Sequence, residues 1–362
     1  MLHSFGSNGS GQLGLGHQED VSIPTKCLLP VTVDKPPVKI AAGGNHTVVL
    51  FSNGAFATGE NAGGRCGFGA TPMPSEAVFA RIKVETSPLL GIDGFKLCAA
   101  TWEATTFISY KNDVYSCGIG SRGQLGMGDG VIHSGVPQRI LHFPPAGTEI
   151  IDVASCMAHT IVVLSNGDAY GWGDGRKGQL GEPAAIVWSP RKIEGITFPV
   201  DRAACGREFT YLVGSPVAGR HLVLGLNKWG VKSSMPESIQ GWKDIGASWG
   251  SIYVLQGDNR LLSWGRNDHG QLAPAGIPEL QKIAIGSEHA LGLTLDGKLV
   301  AWGWGEHGNC GPELDDDGDV KGRWNEIPLP RDGSGIVASA SEIGAGCASS
   351  WIFTDNITMV TG

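Results

Sequence analysis

The chain has 362 residues, 41% apolar and only 17% charged, enough to bury a core and too little charge for a disordered or coiled-coil chain. Its 56 glycines follow no three-residue period, which excludes collagen and points to tight turns between short strands. A formal charge of −8 without a run of Lys or Arg argues against direct nucleic-acid binding, and no apolar run of about 18 residues is present to span a membrane as a helix.

Along the chain, a glycine-rich element recurs seven times. The copies are Gly6–Gly14 (GSNGSGQLG), Gly59–Gly67 (GENAGGRCG), Gly118–Gly126 (GIGSRGQLG), Gly173–Gly181 (GDGRKGQLG), an eroded Gly225–Gly230 (GLNKWG), Gly265–Leu272 (GRNDHGQL) and Gly303–Gly311 (GWGEHGNCG). Their starts lie 53, 59, 55, 52, 40 and 38 residues apart. Each copy is followed by a second signature: small residues, an apolar strand, a turn and another strand. Ala41–Phe51, the turn Ser52-Asn53-Gly54 and Ala55–Gly59 form the first example. Its counterparts are Cys98–Gly118, Ala154–Gly173, Ala204–Gly225, Gly246–Gly265, Ala284–Gly303 and Gly344–Gly362. Turns such as Ser165-Asn166-Gly167 and Leu295-Asp296-Gly297 are hairpin signals, and no stretch carries a 3.6-residue period.

Units this small cannot each bury a core, but arranged radially they cover one another and leave few exposed edges. The expected fold is an all-β, seven-bladed β-propeller forming one domain over residues 1–362. The segments 2–5 and 357–361 both occupy the strand position before a glycine-rich element, so the terminal strands should join in one blade and close the ring. Leu13, Leu125, Leu180 and Leu272 of the Gln-Leu pairs should pack between blades.

Several motifs resolve against chemistry. The four Gly-x-Gly-x-x-Gly runs starting at Gly9, Gly118, Gly173 and Gly303 sit in register with a β repeat, so they read as turns and not dinucleotide sites. The eight cysteines contain no Cys-x-x-Cys pair, which leaves no zinc ribbon in this chain and suggests small core filler in a reducing compartment. Asn45-His46-Thr47 and Asn356-Ile357-Thr358 read as chance sequon matches. Met1–Phe5 is too short and polar for a secretory leader, so the expected location is cytoplasmic with access to the nucleus. His46, His159 and His289 share a repeat position held elsewhere by Glu103, Phe209, Ser251 and Ser349, which favours a hydrogen bond between strands over metal ligation. Asp315–Asp319 lacks the pattern of a calcium loop and reads as a solvated insertion. No nucleophile–base set or carboxylate pair stands out, so neither catalysis nor a cofactor is expected.

The tryptophans carry more. Trp172, Trp264 and Trp302 precede a repeat glycine and should be core. Trp102, Trp229, Trp249 and Trp304 sit where sister copies hold small or polar residues, as anchors of a protein interface would. Glu306 and His307 should supply its polar rim, and the short spacings after Gly225 should lower the rim for a small partner.

These paired signatures resemble the regulator-of-chromosome-condensation (RCC1-like) repeat family over essentially the whole chain. Within it, Ser263–Leu272, Gly286–His289, Trp302–Pro312 and Gly346–Trp351 are similar to the fungal α-tubulin-suppressor branch. That resemblance implies a non-enzymatic protein paired with a small zinc-ribbon (CSL-type) electron carrier. It further implies support of diphthamide synthesis on elongation factor two and of Elongator-dependent modification of wobble uridines in tRNA. The alternative implied by the wider family is guanine-nucleotide exchange on a Ran-type small GTPase. Against it stand the irregular repeats and a first strand that begins at Leu2, with no basic tail before it.

Overall fold

A computed structural model of the chain describes residues 1–69, 78–82, 94–331 and 335–355. They form seven antiparallel sheets, five of four strands and two of three. The innermost strands are Lys39–Ala42, Phe95–Ala100, Ile150–Cys156, Arg202–Cys205, Trp242–Ala247, Leu280–Ile285 and Ala340–Ala345. Each touches its neighbour in that order, and the last touches the first, so the sheets are the blades of a closed seven-bladed propeller. The second strands, His46–Phe51, Ala104–Ser109, His159–Leu164, Phe209–Val213, Ser251–Gln256, His289–Thr294 and Ser349–Thr354, are the most deeply buried. The sheet patterns follow from the sequence: β-branched and aromatic residues fill strands covered on both faces by neighbouring blades.

Ring closure uses the N-terminal strand. Leu2–Gly6 takes the third place in the blade that begins with Ala340–Ala345, pairing Leu2 with Phe353, Ser4 with Trp351 and Gly6 with Ser349. Leu2, Phe5, Trp351, Ile352 and Phe353 are all buried there, and each fully buried apolar side chain contributes about 1.5–3 kcal/mol. The C-terminal segment 357–361 and the sequon at Asn356 lie outside the described residues.

The blades of Arg202–Cys205 and Trp242–Ala247 have only three strands. The spacings of 40 and 38 therefore reflect a missing outer strand, not merely shorter loops. Leu13, Leu125 and Leu180 are buried as expected, whereas Leu272, whose blade lacks the outer strand that would cover it, is half-buried. The indole N–H groups of Trp172, Trp264 and Trp302 donate to the backbone oxygens of Gln124, Val231 and Gln271 at 2.9–3.0 Å, tying each blade to the glycine-rich element before it. In Gly118–Gly126 that element is two consecutive turns, Gly123 N to Gly120 O and Gly126 N to Gly123 O, both 3.0 Å, and among the described residues no α-helix follows any copy.

The three repeat histidines serve the same end. Their Nε2 atoms lie 2.8, 3.0 and 2.9 Å from the hydroxyls of Thr105, Thr210 and Ser350 in the next blade. Those hydroxyls donate onward to the backbone oxygens of Arg65, Gln179 and Asn309, so each histidine carries its proton on Nε2 and donates. Strand register makes Ala104, not Glu103, the counterpart of His46: both pair with the first glycine of the following element. Burial holds these rings neutral, with pKa values down to about 3 for His46 and about 4 for His159 and His289. The unfolded chain therefore takes up protons below about pH 6.5 that the folded chain refuses. Between pH 6.5 and 5.5 each histidine should subtract roughly 1 kcal/mol of stability. Urea melts at the two pH values should show the loss, and a triple His→Gln variant at 46, 159 and 289 should flatten it.

Candidate partner-binding face

Antiparallel order places two sets of loops at the same end of the propeller: those joining first and second strands, and the glycine-rich elements after the third. Backbone bonds join the two sets, as in Leu226 N to Glu208 O and Trp304 N to Glu288 O, both 3.0 Å. Around the channel mouth the first set is stitched blade to blade by Gly44 N to Trp102 O (3.1 Å), Trp102 N to Met157 O (2.8 Å), Arg207 N to Trp249 O (3.2 Å) and Trp249 N to Ser287 O (2.9 Å). This face is rigid because its loops share backbone bonds.

Trp102 and Trp249 each stand two residues before a second strand, at the repeat position occupied elsewhere by Gly44, Met157, Arg207, Ser287 and Cys347. Projecting from blades on opposite sides of the ring, the two indoles meet over the channel mouth with centroids 5.8 Å apart. Trp102 lies across Gly44, where a Cβ would stand 2.6 Å from the indole. Below them runs a channel of about 400 Å³ lined by the innermost strands of all seven blades. Neighbouring strands pair charges here: Arg202 reaches Asp152 at 3.2 Å and Asp244 at 3.4 Å, and Lys282 reaches Glu342 at 2.6 Å. Cys156, Cys205 and Cys347 line the channel, and burial pushes all three thiols up, Cys156 to about 12, which leaves no reactive thiolate there. Among the described residues no group of three or more His, Cys, Asp or Glu is placed to hold a metal ion.

Beside the paired indoles of Trp102 and Trp249, between the two three-stranded blades, opens a cleft of about 220 Å³. Trp229 and Trp249 line it together with Arg207, Lys228, Arg266, Glu208 and Glu288. Trp229 is 46% exposed and has φ +62°, a left-handed conformation that a bulky residue rarely adopts. The loop enforces it: Asn227 Oδ1 accepts from the backbone N–H groups of Lys232 (2.7 Å) and Ser233 (3.1 Å), closing the turn around Trp229. The Lys228 ammonium and the Arg266 guanidinium lie over its ring at 5.3 and 5.1 Å, and Arg207 lies over Trp249 at 5.3 Å. Arg266 is itself held by Glu288 and by Asp268, its Nη2 donating to Asp268 Oδ2 at 2.9 Å. Gln271 Nε2 in turn holds the buried Glu288 carboxylate at 2.8 Å. At Gly250 a Cβ would come within 3.0 Å of Trp229 and 2.8 Å of the Arg266 Cβ, so the absent side chain makes room for this stack.

The remaining residues expected at the interface sit one blade further round. Trp304 is half-buried and edge-on to His307 at 5.3 Å, while His307 Nδ1 contacts Asp20 Oδ2 at 2.8 Å across to the next blade. Glu306 is exposed and borders Gly318. The structure thus brings Trp229 and Trp249 into one cleft, sets Trp102 against Trp249, and leaves Trp304, Glu306 and His307 outside it. Asp315–Asp319 is only partly the solvated insertion expected: Asp319 is buried and faces His269 Nδ1 at 3.0 Å, while Asp315, Asp316 and Asp317 are exposed. Sequence reading missed the three cations. Arg207 could have been found, because it shares the repeat position of Trp102 and Trp249.

A family model for the RCC1-like domain matches residues 1–352. An RCC1 repeat-containing protein of Schizosaccharomyces pombe is 31% identical over 97% of this chain and 98% of its own length. A secretion-regulating guanine nucleotide exchange factor of Mus musculus is 27% identical over 78% of the chain, which spans 63% of that protein's length. Among solved structures, Prp20p of Saccharomyces cerevisiae superposes with a TM-score of 0.81 at 20% identity, covering 99% of this chain and 92% of that one, a likeness of fold. This chain belongs to the RCC1-like domain family.

Proposed function

We propose that the chain is a non-catalytic regulatory binding module that holds a small zinc-ribbon (CSL-type) protein on its loop face. In this reading metal and electrons stay with the partner, and the propeller orients it toward diphthamide synthesis and Elongator-dependent tRNA modification in the cytoplasm and nucleus. The observation that supports a binding role is Trp229: a half-exposed indole kept in a left-handed backbone conformation by its own loop, the form of a rigid interface anchor. The zinc-ribbon identity comes from the resemblance of the last two repeats. Pull-down of the intact protein from native extract, followed by mass spectrometry, should recover a zinc-ribbon protein in near-equal amount. Consistent absence of any such protein would overturn the assignment.

A second reading is nucleotide exchange on a Ran-type GTPase, favoured by the similarity to the mouse exchange factor. Release of a fluorescent guanine nucleotide from Ran should proceed at its intrinsic rate when this chain is added. Marked acceleration would make exchange the better reading.

A further inference from the structure

The cleft holds a charge imbalance that the fold does not use. Arg266 is neutralised by Glu288 and Asp268. Arg207 and Lys228 form no ion pair with any described carboxylate, and both are exposed on the rim of a protein with net charge −8. Lys232, exposed on the same loop as Trp229, is likewise unpaired among the described residues. Each of the first two lies over an indole, so the cations are presented with an apolar surface directly beneath them. Unpaired cations over partly exposed aromatic rings attract an anionic group carried beside an apolar one.

We propose that this cleft takes an acidic segment of a protein partner: carboxylates against Arg207 and Lys228, with an apolar side chain between Trp229 and Trp249. The proposal rests on the reading of the loop face as a docking surface and adds the chemistry of what docks there. A nucleic-acid strand offers the same charge and a stacking base, but it needs a continuous basic track. Here Glu208 and Glu288 interrupt the cations, so no continuous basic track exists for a phosphate chain, and the two unpaired cations, Arg207 and Lys228, match only a short run of carboxylates.

The test uses the intact chain and three probes: a Glu/Asp-rich peptide with a central Leu-Phe pair, the same peptide with Lys at every acidic position, and oligouridylate. Binding is followed by tryptophan fluorescence and calorimetry at low and high salt. The acidic peptide should bind at least about tenfold more tightly than the Lys peptide, with the preference shrinking in high salt. The double variant Arg207→Glu, Lys228→Glu should reverse the preference while melting at the wild-type temperature. Equal binding of the two peptides, binding of neither, or tighter binding of oligouridylate would overturn the proposal. The two readings separate in pull-downs. A zinc-ribbon protein still recovered at full yield by the charge-reversed variant would sink this inference alone. Acidic-peptide binding by a chain that recovers no zinc-ribbon protein would sink only the partner assignment.

Discussion

Replacing Trp229 by glycine is expected to weaken partner binding by at least about tenfold while leaving the folding free energy within about 1 kcal/mol of wild type. The two halves have separate causes. Trp229 is 46% exposed, so its removal opens no core cavity, and its indole contacts the exposed Lys228 and the already-anchored Arg266. Its φ of +62° costs a non-glycine residue energy that glycine does not spend, which offsets the greater chain entropy of glycine in the unfolded state. Loss of a central tryptophan anchor, by contrast, commonly removes 2 kcal/mol or more of binding energy, about a thirtyfold change in Kd. Calorimetric titration with the purified partner, alongside a thermal melt, reads both quantities. A variant that melts several degrees lower yet binds normally would make Trp229 a cap on its blade and not an anchor. Alanine at the same position is the useful companion: it loses the indole but keeps the strained backbone, so it should bind as poorly as glycine and melt slightly lower.

The blade count was legible because each repeat carries its own punctuation. The first glycine of every glycine-rich element pairs with the first residue of a second strand, so seven such glycines mean seven blades. Trp172 and Trp302 were legible as core because apolar bulk beside an obligatory glycine leaves no solvent-facing option, and both are fully buried. The two three-stranded blades were misread, since a short spacing does not distinguish a trimmed loop from a missing strand. The cleft was only half legible. Tryptophans that sister copies lack could be picked out one by one, and the shared repeat position of Trp102 and Trp249 was there to be used. That Arg207, Lys228 and Arg266 gather around two of those indoles is a product of ring geometry: they belong to separate elements, and no linear run of basic residues signals them. The expected polar rim of Glu306 and His307 lies apart for the same reason, with His307 committed to Asp20 in the neighbouring blade.

The largest effect on folding should come from Gly173→Ala, with Gly9→Ala as its control. Gly173, the last residue but one of the third strand of its blade, has φ +106°, and a Cβ there would stand 2.2 Å from the Ala158 carbonyl oxygen. The obstacle is backbone, and that carbonyl is also occupied, accepting from Asp174 N at 2.8 Å, so it cannot retreat without breaking the junction between the first loop and the glycine-rich element. The six sister glycines show the same geometry, with φ between +96° and +115° and the clashing oxygen at 2.3–2.6 Å, which is why this one residue recurs in a sequence whose other repeat positions drift. Alanine at Gly173 therefore combines a forbidden backbone conformation with a hard overlap, and a loss on the order of 3 kcal/mol or more is expected, visible as a large drop in urea midpoint. Gly9, in the same kind of element, has no atom within 4 Å of its would-be Cβ and no positive φ. Its alanine variant should stay within about 0.5 kcal/mol of wild type. Equal tolerance at the two positions would mean that the seven glycines are not what locks each blade to its loop, and the account of the repeat would have to be rebuilt around the buried tryptophans and histidines alone.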